Sequence, residues 1–299
     1  MNTPVKAPPI SKIEYHADDF GLFPAQSRRI LNCHSNGLLN GISIMPNSEY
    51  LSECMQLLYP VLDQMEVTVH LNIIEGRSLC SGKEIPLLAN TDGIFHASFG
   101  SLLLHSFLPS RKAYRKQLKM ELRSQILAVK QSLPQNAPLR LDGHAHYHML
   151  PVVFDALMDV IQEDKLQISY IRLPQEDIGL YLRHLNQLHD LSPINWVKVL
   201  ILNILVARNR HKYHDYLSSL EQKLFLGVFL SGRMYRENVM PILPDALEKA
   251  KKRGYDLEIL AHPGGVSEPE DIAKITNPDD LSFLTSPFRD REATLFARH

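Results

Sequence analysis

Short runs rich in β-branched and apolar residues recur along this chain, and most are followed by a longer stretch with apolar residues three and four positions apart. The runs Lys12–His16, Gly41–Met45, Glu66–Leu71, Leu139–Asp142, Gln167–Leu173, Leu226–Leu230 and Leu257–Ala261 read as strands. The stretches Gln26–Asn36, Arg111–Ser132, Val152–Glu163 and Pro244–Arg253 read as helices, the last closed by Gly254 as a C-cap. This alternation predicts an α/β fold with a mainly parallel sheet, open or closed into a barrel. Residues 175–223 interrupt it. They are rich in Leu, Ile, Tyr and His, and a structureless loop of that length is improbable, so they read as a helical insertion. Within them Ile194, Val197, Leu200, Ile201, Ile204 and Leu205 recur at helical spacing. The stripe predicts either a helix packed on the sheet or a lid or platform beside a site.

Length and composition narrow the reading. The 299 residues, 44% of them hydrophobic, suit one large core, so a single domain over residues 1–299 is expected. A net charge of −1 argues against broad nucleic-acid binding. Cys33, Cys54 and Cys80 lack CxxC spacing and cannot all pair, which fits a reducing compartment. The opening MNTPVKAPPI places prolines where an export signal needs an apolar run. Ile194–Ala207, the most apolar stretch, is too short for a membrane span. A soluble cytoplasmic protein is expected.

The chemistry lies where the expected strands end. His16-Ala-Asp18-Asp19 ends the first strand, and His70 lies in the third. Asp142-Gly-His144-Ala-His146-Tyr-His148 ends the fourth; Arg172 and His262 end two later ones. The carboxyl ends of parallel strands form the face that carries active sites in such folds. Taken singly, Asp18 and Asp19 could cap a helix. His70 could be an ordinary half-buried histidine, and His262 a turn residue before Pro263. Alternate residues of an extended segment share a face, so His144, His146 and His148 could line one surface. Five strands delivering such residues to one rim weaken these separate readings together. Two imidazoles and a carboxylate would leave open positions on a divalent ion, a second carboxylate could accept a proton from water, and a histidine across the pocket could protonate a leaving amine. Vicinal Asp18 and Asp19 would face opposite ways on a regular strand, so a sharp turn near Gly21 is required.

The ordered motifs His16-Ala-Asp-Asp-Phe-Gly21, His70-Leu-Asn72-Ile-Ile-Glu-Gly76, Asp142 to Pro151, Arg172-Leu-Pro-Gln-Glu176 and His262-Pro-Gly264 resemble those of the YdjC family of carbohydrate deacetylases, also called the chitooligosaccharide or hopanoid-associated deacetylase family. The resemblance implies a distorted β/α barrel of about seven strands, related to the polysaccharide deacetylases, to which this sequence adds the helical insertion already noted. It implies that Asp19, His70 and His144 bind one divalent metal ion, Mg²⁺ or Zn²⁺. Asp18 matches the catalytic base, His262 the general acid, and Arg172 an arginine that orients the base. His146, His148, Asn72 and Glu176 fall among substrate contacts or supporting residues. The family also suggests a homodimer. His16 departs from the pattern, standing where the family has Asn, and residues 175–223 are longer than in smaller members. Both bear on the substrate, so no particular sugar is carried over.

The resulting expectation is a metal-dependent hydrolase that releases acetate from N-acetylated amino sugars. A metal-dependent phosphoesterase, a non-catalytic sugar-binding relative and an amidohydrolase acting on another amide are the alternatives.

Overall fold

A computed structural model describes residues 12–275 and 278–298; the Met1–Ile10 stretch lies outside them. The strands are β1 (Ile13–Phe20), β2 (Gly41–Ile44), β3 (Glu66–Leu71), β4 (Leu139–Gly143), β5 (Ile168–Ile171), β6 (Lys223–Leu226) and β7 (Asp256–Ala261). Between and after them run α1 (Pro24–Ser35), α2 (Leu51–Leu58), α3 (Phe99–His105), α4 (Arg111–Lys130), α5 (Pro151–Glu163), α6 (Ile178–Arg183), α7 (Pro193–Lys212), α8 (His214–Ser218), α9 (Arg236–Val239) and α10 (Leu243–Arg253). The short helices α11 (Pro269–Ile272), α12 (Pro278–Leu284) and α13 (Pro287–Ala293) follow β7.

All strand pairs are parallel, in the order β5-β4-β3-β2-β1-β7-β6. Contacts across this sheet force it to curl. In a flat sheet β5 would lie roughly 19 Å from β1, four strand spacings away. Yet Arg172, immediately after β5, sits 2.9 Å from Asp18 on β1. The expected barrel is therefore present, with a seam between β5 and β6 where no strand ladder forms. Side chains and single backbone bonds close it. Glu221 N–H donates to the Ser169 carbonyl at 2.9 Å. Beyond the strand ends, the buried Glu176 carboxylate accepts the backbone N–H groups of Gly227, Val228 and Phe229.

That seam explains a misplaced strand. The sequence predicts β6 at Leu226–Leu230, whereas it runs Lys223–Leu226. The N–H groups after Leu226 serve Glu176 in place of a ladder, so the apolar run continues without strand pairing. Elsewhere strands and helices lie within a few residues of expectation, apart from β1, which extends to Phe20. Gly254 closes α10 in a left-handed conformation at φ +68°.

Period-two alternation divides each strand between two environments. Ile42, Ile44, Val69, Leu141, Ile171, Leu257 and Ile259 belong to the buried apolar cluster that also includes the inner faces of α4, α5 and α10. The alternate positions face a polar interior. Arg140 donates twice to Glu14 at 2.7 Å, and Lys223 pairs with the same carboxylate. Burial would raise the Glu14 pKa, but the hydrogen bond from His16 and the charges of Arg140 and Lys223 hold it well below the usual carboxylate range. His16 bridges Glu14 and Ser43 at 2.7 Å on each side.

Residues 178–218 supply α6, α7 and α8 between β5 and β6. The expected apolar stripe of α7 packs only through Leu205 and, in part, Ile201; its other four residues lie off the packed face. Val199, Leu202, Leu205 and Val206 are buried, whereas Ile194, Val197, Leu200 and Ile204 are 50–61% exposed. The helix is apolar on both sides, and the sequence pattern alone does not say which side packs. Leu202→Ala should cost about 2–5 kcal/mol as a buried truncation. Leu200→Ser and Ile204→Ser should each change stability by no more than about 0.5 kcal/mol. Urea unfolding followed by circular dichroism measures both; equal losses would show that the exposed face is covered.

Candidate active site

The rim at the carboxyl ends of the strands is built first by a break in β1. Asp19 has φ +66°, and the pairing register between β1 and β2 slips between Ala17 and Phe20. A left-handed residue that is not glycine costs on the order of 1–3 kcal/mol. The surroundings hold it: Gln26 Nε2 donates to the Asp19 carbonyl at 3.0 Å, and Gly21 N–H, at φ +96°, donates to Ser27 Oγ at 3.0 Å. The turn required by the vicinal aspartates is thus at Asp19 itself, and it brings both carboxylates toward His70.

Asp19, His70 and His144 each offer a ligand atom within 4.8 Å of the other two. Asp19 Oδ1 lies 3.2 Å from His144 Nδ1 and 3.6 Å from His70 Nε2. His70 Nδ1–H donates to Asp142 at 2.7 Å, which leaves Nε2 as the nitrogen facing the aspartates. His144 Nε2 faces Glu75 at 3.1 Å. Burial disfavours charge on His144, but Asp19 and Glu75 outweigh it and push its pKa up to about 10. Two carboxylates around one imidazole demand a positive charge, which a proton or a divalent cation supplies, the cation displacing the proton. These donors therefore fit a metal ion on their chemistry and on their spacing.

Asp18 occupies a different electrostatic setting. Both its oxygens accept from Arg172 Nη1, at 3.0 and 2.9 Å, while His70 Nε2 is 3.8 Å away. Arg172 is fully buried and also meets Asp142 at 2.6 Å and Glu258 at 2.7 Å. Ser43 and Tyr170 donate to Asp142 and Glu258 respectively. Across the pocket His262 receives support from α13: its backbone N–H donates to Glu292 at 2.6 Å, and its Nδ1 lies 3.6 Å from the same oxygen. Burial opposes its charge, yet Glu292 and Asp19 raise its pKa above the usual histidine value.

Asp18, His144, His146 and His262 line one cavity of about 530 Å³, walled on its outer side by Phe99, Phe283 and residues of α7. The other expected residues work from behind it. His148 is buried, and its Nε2 donates to the Arg172 carbonyl at 2.9 Å; burial lowers its pKa to about 4. Asn72 accepts from the N–H groups of Ile74 and Glu75, shaping the loop that carries Glu75. Glu176 closes the seam. The shared surface for His144, His146 and His148 does not form, because the segment is a 3-10 turn with Ala145 and His146 at positive φ.

Sequence reasoning assigned no role to Asp142, Glu75, Glu258, Arg289 or Glu292. The first two sit inside the quoted motifs. Glu258 follows the period-two alternation that also places His16 and Arg140 inward. Arg289 Nη2 donates to Asp19 Oδ2 at 3.1 Å, but a charged pair in a short terminal helix has no pattern that separates it from a solvated face.

A parallel α/β barrel with an Asp–His cluster and a second carboxylate on its carboxyl rim defines the class. The profile described as YdjC-like protein matches residues 12–293, and the chain belongs to that family. It is similar to the carbohydrate deacetylase of Danio rerio, 24% identical over 93% of this chain and 89% of that protein. The carbohydrate deacetylase of Xenopus laevis is 23% identical over 92% and 88%. In fold, the chain is similar to a crystal structure from Enterococcus faecalis for which cellobiose-phosphate cleavage has been proposed, with a TM-score of 0.68 and 17% identity over 97% of this chain and 92% of that one.

Removing Arg172 should expose the dependence of this rim on its buried charge. Arg172→Met leaves Asp18, Asp142 and Glu258 without their shared partner and should cost about 3–5 kcal/mol at neutral pH. Wild-type stability in a denaturant titration would show that the three carboxylates do not depend on it.

Proposed function

We propose that this protein is a metal-dependent hydrolase that removes acetyl groups from N-acetylated amino sugars, releasing acetate and a free amine. One observation carries the reading: Asp19, His70 and His144 converge while the neighbouring Asp18 is turned onto Arg172 and His262 faces it across the cavity. The near full-length relatives named carbohydrate deacetylases support the substrate class.

Asp19, His70 and His144 would hold the ion, which supplies Lewis-acid polarisation of an acetyl carbonyl and a lowered pKa for water. Two imidazoles and one carboxylate suit Zn²⁺ better than Mg²⁺, which prefers oxygen ligands. Asp18, kept in place by Arg172, accepts the proton of the attacking water. His262, supported by Glu292, delivers a proton to the departing amine. A phosphoesterase reading is less well supported, because Arg172 and Arg289 both spend their guanidinium groups on carboxylates. The three cysteines are free, which supports a reducing, cytoplasmic setting. Among the described residues no helix is long and apolar enough to cross a membrane. The homodimer suggested by the family resemblance is part of the same reading and is checked by light scattering.

Acetate release from a panel of N-acetylated mono- and oligosaccharides, with and without chelator, tests the activity; turnover of a generic phosphodiester instead would overturn it. His70→Ala and His144→Ala should lose bound metal. Asp18→Asn should keep the metal and lower kcat by about 10²–10⁴-fold. Metal loss in that variant would make Asp18 a ligand. His262→Ala should recover rate on an activated acetyl ester, whose leaving group departs without a proton, whereas Asp18→Asn should not.

The pH profile separates the acid from its support. A general acid acts while protonated, so activity should fall as pH rises through the elevated His262 pKa. Glu292→Gln removes the neighbouring negative charge and should move the alkaline limb to lower pH. An alkaline limb that stays in place in both Glu292→Gln and His262→Ala would rule out His262 as the group reported.

A further inference from the structure

The C-terminal helix α13 turns two charged side chains into the site from positions three apart, which share one face of a helix. Arg289 and Glu292 are only 3% and 1% exposed. Glu292 serves His262, as described. Arg289 is anchored on three sides before it reaches the cluster. Its Nε donates to the Phe283 carbonyl at 3.0 Å, its Nη1 to the Pro263 carbonyl at 3.3 Å, and its Cζ lies 3.7 Å from the centroid of the Phe283 ring. The remaining Nη2 donates to Asp19 Oδ2 at 3.1 Å.

The consequence falls on the other oxygen. Rotation about the terminal bond of an aspartate is soft, and nothing intrinsic to the side chain chooses which oxygen is presented. Asp19 Oδ1 is the oxygen that faces His144 and His70. We propose that Arg289 is a positioning residue that occupies Oδ2 and so makes Asp19 a one-oxygen ligand in the Asp19–His70–His144 cluster. This rests on the reading of that cluster as a cation site. A carboxylate free to engage through both oxygens would fill a coordination position that water and substrate need. A planar guanidinium braced by two carbonyl groups is suited to hold one oxygen in a fixed place; a flexible ammonium is less so.

Co²⁺ added to the metal-free protein provides a readout apart from turnover, because its visible absorption is strong at low coordination number and weak at high. Arg289→Met should bind Co²⁺ with weaker absorption than the wild type, and deacetylation should fall roughly 10–100-fold, as for the loss of other partners of metal ligands. Arg289→Lys should restore part of the absorption. If Arg289→Met does not fold, Arg289→Gln, too short to reach Asp19 but able to keep the contact with the Phe283 carbonyl that Arg289 makes through Nε, is measured in its place. Glu292→Gln should leave the Co²⁺ spectrum unchanged. An Arg289→Met or Arg289→Gln spectrum identical to wild type would overturn the proposal. So would the same spectral change in Glu292→Gln, since general loosening of α13 would then suffice. Asp19→Asn separates the two levels: if it binds Co²⁺ with the wild-type spectrum, the reading of the cluster fails, not the role of Arg289.

Discussion

The buried guanidinium of Arg172 is the constraint around which this barrel is organised. It stands just beyond β5, at the edge of an unpaired seam, and engages Asp18 after most of β1, Asp142 on β4 and Glu258 on β7. An ion taken out of water costs several kcal/mol, recovered only with good geometry and further hydrogen bonds. Here the carboxylates are supplemented by the hydroxyls of Ser43 and Tyr170. Burial would raise the Asp142 pKa, but Arg172 and His70 hold it far below the ordinary carboxylate range. The same contacts that draw the sheet closed thus keep Asp142 ionised, and ionised Asp142 fixes the ring of His70.

Two arginines, from distant parts of the chain, divide adjacent carboxylates between two jobs. Asp18 and Asp19 are neighbours in sequence and, because of the positive φ at Asp19, neighbours in the pocket. Chemistry alone does not distinguish them. Beside the two histidines of the cluster, Arg172 takes both oxygens of Asp18, whose Oδ2 lies 3.8 Å from His70 Nε2. Arg289 takes only one oxygen of Asp19 and leaves the other facing them. Backbone strain and counter-ion placement act together, since a regular strand would have put the two side chains on opposite faces of the sheet.

The parts of this arrangement that repeat along the chain were legible before any coordinates. Strand–helix alternation identified a mainly parallel α/β sheet, open or closed; the family resemblance implied the barrel, and polar residues at strand ends singled out Asp18, Asp19, His70, His144 and His262. The turn between the aspartates followed from the two-residue period of a strand. Features that depend on tertiary partners were not legible. The end of β6 depends on Glu176 capturing the N–H groups of Gly227 to Phe229, a contact about fifty residues apart in sequence. The outer face of α7 looks as apolar as its inner one, so composition cannot tell which is buried. Arg289 and Glu292 read as surface charges because short terminal helices carry such residues for solubility as often as for chemistry. Glu14, His16, Arg140 and Glu258 did carry a signal, since they alternate with apolar residues inside the strands; a polar period-two pattern with two buried faces implies an interior that is charged.

That charged interior changes where stability and function meet. Many α/β barrels fill their centre with layers of branched aliphatic side chains. Here most aliphatic residues of the strands pack outward against the helices, and the centre is largely a connected set of ions, with Phe225 against Arg172 and Leu260 lining the cavity. His16 illustrates the result. It links Glu14, in the lower layer with Arg140 and Lys223, to Ser43, which donates to Asp142 beside His70. Most of these charged groups are paired with a residue from a different element, so deleting one leaves an unpaired partner in a dry environment, which costs more than the lost bond itself. Changes that keep shape and hydrogen bonding while altering charge act mainly on chemistry; changes that remove a partner act on fold and chemistry together. The site is therefore not grafted onto an inert scaffold: its orientation is the upper end of the network that fills the barrel.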